Sequence, residues 1–164
     1  MTQRYLEDFA VGQTFGSGRL VVDAERIKRF AAEFDPQPFH LDEGAAERSV
    51  FRGLVASGWH TVSATMRLLV ESELQPAGGI IGASFDHLRW SRPVRPGDEL
   101  HVESEVVGVR PSTSRPERGW IKLRSVTRNQ HGEAVLELVG NLLVPRRERG
   151  ASRQPARHPP SPGR

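Results

Sequence analysis

The chain has 164 residues, 37% of them hydrophobic and 26% charged, and no cysteine, the composition of one soluble globular domain with enough length to bury a core. Disulfides, thiolate catalysis and cysteine-held metals are excluded together. No run nears the roughly 18 to 20 apolar residues of a membrane span, and Met1 to Glu7 lacks the apolar stretch of a secretion signal, so a cytoplasmic protein without membrane partners is expected.

The sequence pI of about 10.1 raises nucleic-acid binding, but the charges are unevenly placed. From Arg146 onward six arginines face one acid, giving +5 and leaving −2 for residues 1–145 out of a total of +3. The tail holds four prolines and no apolar periodicity, so it buries too little to offset the entropy of ordering. We read it as a disordered, solvated basic tail over residues 148–164, following a single domain at 1–147, and expect no nucleic-acid partner.

Along the chain, Gln13 to Val22 is strand material broken by Gly16 and Gly18, which predicts a short hairpin or a bend. Asp23 then serves as N-cap to a helix carrying Ile27, Phe30, Ala31 and Phe34 at amphipathic spacing. That helix must end near Asp35, because Pro36 follows. Two prolines within Asp35-Pro36-Gln37-Pro38-Phe39-His40 predict a stiff loop with Asp35 and Gln37 extended. A carboxylate and an imidazole on such a loop suit acid/base chemistry on a small molecule; a plain surface turn accounts for the same residues. Leu41 to Arg48 suits one or two further helical turns.

Phe51 to Gly58 is apolar and glycine-containing, and opens a second helix with Trp59, Val62, Met66, Leu69 and Val70 along its expected buried face. That helix should stop between Leu74 and Gly79. Four strand-like runs follow, Ile80 to Arg92, Glu99 to Val109, Gly119 to Arg128 and Glu133 to Val144. Their short connections, including Pro96-Gly97-Asp98 and Asn129 to Gly132, predict antiparallel neighbours in chain order. Either a curved sheet around the long helix or an open α+β sandwich satisfies this order.

The run Phe34-Asp35-Pro36-Gln37-Pro38-Phe39-His40-Leu41-Asp42-Glu43-Gly44-Ala45-Ala46 resembles the signature of the MaoC-like acyl dehydratases and (R)-specific enoyl-CoA hydratases. Leu54-Val55-Ala56-Ser57-Gly58 and Arg92-Pro93-Val94-Arg95-Pro96-Gly97-Asp98 match two further elements in the family's order, spanning most of residues 5–147. Phe34 and Ser57 depart from it, standing where the family commonly has Gly and His. The resemblance implies an α+β hot-dog fold, a curved antiparallel sheet wrapped around a long central helix. It implies reversible hydration of a trans-2-enoyl-CoA to a (3R)-3-hydroxyacyl-CoA, with no cofactor beyond the CoA thioester that is the substrate. Asp35 and His40 would grip the reacting water and the Gly58 N–H would stabilise the enolate, with Gln37, Phe39, Ser57 and Trp59 as substrate contacts. A tight strand-to-helix turn explains Gly58 equally well, and an N-cap role explains Ser57. His60 reads as a packing histidine more readily than as a second catalytic imidazole. His87, His101 and His131 have no ligand spacing, so no metal is assigned. Arg89, Arg92 and Arg95 stand on a strand end where they could meet CoA phosphates or simply water. A homodimer, or a dimer of dimers, is implied. The rival activities are a hot-dog acyl-CoA thioesterase and a non-catalytic acyl-CoA-binding domain, which fold alone does not separate from a hydratase.

Overall fold

The computed structural model describes residues 3–147; the basic tail, residues 148–164, lies outside the described residues. A single 3-10 turn at Leu6–Asp8 precedes strands β1 (Thr14–Gly16) and β2 (Leu20–Val22). Three helices follow, α1 (Ala24–Phe34), α2 (Pro38–Leu41) and α3 (Glu43–Glu47), and then the central helix α4 (Gly58–Val70). Four long strands complete the domain: β3 (Ile81–Trp90), β4 (Asp98–Pro111), β5 (Arg118–Arg128) and β6 (Ala134–Pro145). All six strands form one antiparallel sheet of order β1-β4-β5-β6-β3, with β2 also on β4, and the whole is the expected α+β hot-dog fold. No helix among the described residues is long and apolar enough to cross a membrane.

Local rules account for the helix boundaries. The Asp23 side chain accepts from Arg26 N, which starts α1, and Asp35 closes it before Pro36. In the loop that follows, Gln37 is extended as expected (φ −89°, ψ 144°), whereas Asp35 is not (φ −151°, ψ 68°). Gln37 N–H turns back to Asp35 O at 2.7 Å, and Pro38 then stands at the first position of α2, where its lost N–H removes no helical bond. Asp42 caps α3 through Ala45 N.

Two expectations change once distant residues meet, and one open alternative is resolved. The Gln13 to Val22 segment bends and makes no hairpin: β1 and β2 lie one after the other along β4, and Ser17 between them accepts from Val102 N at 2.8 Å. β3 does not pair with β4. It crosses to the far edge and pairs with β6, while its connection is pinned across the sheet end by Ala56 N–H to Val94 O and Gly97 N–H to Val22 O, both 2.8 Å. The buried side of α4 is Thr61, Ala64, Thr65, Leu68 and Leu69; Trp59, Met66 and Val70, expected inside, are exposed.

Small residues on that side let α4 lie close to the sheet, and Thr65 Oγ1 meets Thr127 Oγ1 of β5 at 2.7 Å, so two buried hydroxyls satisfy each other. Ile27, Leu68, Leu100, Val102, Val106, Ile121, Leu123 and Leu136 are buried together in the core beneath. The expected alternation Leu100, Val102, Ser104, Val106 is buried along β4, with Ser104 paired to Ser125 at 2.9 Å. A bulge between Val106 and Gly108, and two more in β3, add local twist to the sheet. The chain stays ordered slightly past β6: Arg146 pairs with Glu7 at 2.9 Å and Arg147 with Asp8 at 2.5 Å, so these two arginines belong to the domain and not to a solvated tail.

Candidate active site

Asp35 ends α1 at a helix C-terminus, where the dipole disfavours an anion. Two donors offset that. Ser57 Oγ–H donates to Asp35 Oδ2 and Gln37 Nε2–H to Oδ1, each at 2.6 Å. Together with the nearby His40, these bonds hold the carboxyl below its ordinary value despite partial burial, the Ser57 bond contributing most. The turn at Pro36 is what returns Gln37 to its neighbour's carboxylate.

His40 sits in α2 with its ring almost wholly buried. Its Nδ1 lies 2.7 Å from Val55 O. A carbonyl only accepts, so Nδ1 carries the proton of the neutral ring and Nε2 keeps a lone pair. That Nε2 faces Asp35 Oδ2 at 3.4 Å. Two acceptors facing each other are reconciled by a donor with two protons between them, or by a proton on the imidazole. Phe39 meets the ring edge-on at 4.5 Å and rests on Phe51, which fixes the imidazole's tilt.

Asp35 and His40 open onto a cavity of about 390 Å³ that Gln37, Phe39, Gly58 and Trp59 also line. The structure thus brings six of the seven expected site residues to one cavity. Ser57 is the exception. It has no exposed surface, and its hydroxyl is taken up between Asp35 and Trp59 N, so it is a cap and an Asp35 donor in place of a substrate contact. Gly58 is the first residue of α4, and among the described residues its N–H has no acceptor. Its φ is not positive, so a left-handed turn is not what demands glycine there.

His60 stacks on Phe30 at 4.8 Å, outside the cavity, and burial and two arginines push its imidazole down, as a packing residue. Of the three arginines in question only Arg92 lines the cavity; Arg95 instead donates to Phe51 O at 2.7 Å. Two parts of the site rest on tertiary packing. The Val55 carbonyl that sets the tautomer of His40 is a backbone group carrying no side-chain signal. Trp90 joins the cavity because β3 crosses to the edge beside α4.

A MaoC-like domain model matches residues 8–127. The uncharacterized protein YdeM of Bacillus subtilis is 36% identical over 141 residues, covering 86% of this chain and 99% of that protein. An (R)-specific enoyl-CoA hydratase of Rhodospirillum rubrum is 27% identical over 143 residues, 87% of this chain and 93% of the relative. Among solved structures, a MaoC-like dehydratase from Rhodospirillum rubrum superposes with a TM-score of 0.85 at 56% identity, covering 88% of this chain and 98% of that one. With its loop, central helix and sheet arranged as that signature requires, the chain belongs to the MaoC-like dehydratase family.

Proposed function

We propose that this protein hydrates a trans-2-enoyl-CoA to a (3R)-3-hydroxyacyl-CoA and catalyses the reverse dehydration. The observation that carries this reading is the buried His40 ring, proton-locked on Nδ1 by Val55 O, with Nε2 and the ionised Asp35 converging 3.4 Å apart at the cavity wall. Water is the small molecule with two protons to offer two such acceptors. Held there, its oxygen adds to C3 of the enoyl thioester while one proton passes to His40 Nε2. The electron pair of the C2=C3 bond moves onto the thioester as an enolate, whose oxygen takes the free Gly58 N–H at the positive end of α4. The imidazolium, stabilised by Asp35, returns its proton to C2 on the face from which water added. One water is consumed, His40 ends neutral, and the addition is syn. No cofactor is needed.

The active unit is proposed to be a cytoplasmic homodimer, or a dimer of dimers. Its support is β3, an edge strand along which Ile81, Phe85 and Trp90 are exposed, with the exposed Trp59 of α4 against Trp90. An uncovered apolar edge of that length is a liability in a monomer.

The test is loss of enoyl absorbance with crotonyl-CoA. D35N and H40Q should each lower kcat by about 100-fold or more. Near-wild-type turnover in both variants refutes the assignment, and release of free thiol without loss of the enoyl group would mark a thioesterase.

A further inference from the structure

Trp90 ends β3 at the cavity rim, and its Nε1–H donates to Gly58 O at 2.9 Å. A Cβ built on residue 58 would stand 2.7 Å from Trp90 Nε1 and 2.8 Å from Cε2, closer than real Cβ atoms come to any neighbour. The indole therefore fills the space that a side chain at 58 would occupy. Trp59, the next residue of α4, meets the same indole edge-on at 5.6 Å. The first turn of α4 is thus held from outside the helix at its carbonyl and along one side of Gly58. Helix ends otherwise fray, because their terminal groups lack helical partners.

Resting on the hydratase reading, we propose that Trp90 is a positioning residue for the enolate: it fixes the first peptides of α4 and shields the Gly58 N–H from bulk water. An oxyanion donor is effective when it is already aimed and when water does not compete for it. Trp90 supplies both conditions through Gly58 and takes no part in proton transfer. The glycine, in turn, is required by the indole. A strand on the sheet edge thereby controls the amide that receives the negative charge.

The experiment is steady-state hydration of crotonyl-CoA by the full chain carrying W90F, W90A, G58A and the pair G58A/W90A, with a melting temperature for each. W90F keeps a ring and loses the N–H, so kcat should fall about 3- to 10-fold, the effect of one hydrogen bond. W90A should lower kcat by roughly 10- to 100-fold, since cover and hydrogen bond go together. In both, KM should stay within about 3-fold, because the interaction strengthens in the transition state and not in the ground state. G58A should be far more damaging in the wild-type background than beside W90A, where the added methyl has room. A rise in KM with kcat unchanged would make Trp90 a substrate wall and overturn the proposal. Independent effects of the two positions, or wild-type kcat in both Trp90 variants, would overturn it too. Those outcomes come from an active wild-type enzyme; absence of wild-type turnover overturns the hydratase reading itself and this proposal with it.

Discussion

Ser57→Ala is the most informative single change, because one hydroxyl serves two masters. It donates to Asp35 Oδ2 at 2.6 Å and accepts from Trp59 N at 3.2 Å, in a position with no exposure to water. A hydrogen bond to an ionised group contributes about 1.5–3 kcal/mol, and removing a serine N-cap costs about 0.5–2 kcal/mol. No solvent can replace the lost donor, so we expect a loss of roughly 2–4 kcal/mol, or about 5–12 °C in melting temperature for a domain of this size. The pH dependence separates the two roles. Asp35 is depressed below its ordinary value of 3.8, so its contribution to stability is complete above that value and is lost as pH falls through its lower folded value. In S57A the folded value rises, and each unit of rise removes about 1.4 kcal/mol of the stability present at neutral pH. The cap contribution does not titrate. Urea unfolding at pH 7 measures the whole loss, and a carbon-13 NMR titration of the Asp35 carboxyl measures the electrostatic part. If Asp35 titrates identically in S57A and wild type, Ser57 is only a helix cap and the account of how Asp35 is kept ionised is wrong.

Three further outcomes are expected. Because Asp35 stays ionised to about pH 4, the wild-type pH profile of kcat/KM should show no Asp35 inflection above that pH, whereas S57A should gain or shift one upward; a pH profile unmoved by the substitution counts against the assigned role. Gly119→Ala would press a Cβ to 2.6 Å from Arg110 O and into Leu6, at the pairing of β4 with β5; a loss of about 1–3 kcal/mol is expected by chemical denaturation, and an unchanged midpoint would contradict the packing described. Phe85→Glu places a charge in the middle of the exposed edge strand and should convert a dimer into monomers in sedimentation analysis, an expectation that a wild-type monomer at micromolar concentration removes at once.

How the site came to be legible is seen residue by residue. Asp35 and His40 stand out in the sequence because a proline pair between an acid and an imidazole is a local signal, and their order resembles the family signature. Gln37 is visible in the sequence as an extended neighbour, as it is in the structure, but its role as an Asp35 donor follows from the turn at Pro36. Ser57 was visible as an N-cap. Its bond to Asp35 spans 22 positions in the chain, and nothing local at either residue announces it.

The sequence by itself determined where α1 begins and ends, since Asp23 and Pro36 act within one turn of helix. It also determined the position of the four long strands, whose alternation is a property of a few adjacent residues. Tertiary structure alone decided that β3 lies beside β6, that α4 buries Thr61, Ala64 and Thr65 in place of Trp59 and Met66, and that Val55 O sets the proton on His40. Helix caps and periodicity are short-range and act before folding is complete. Strand partners, the buried side of a helix and a histidine's tautomer depend on which distant surfaces exclude water together, and that is settled only when the whole chain packs.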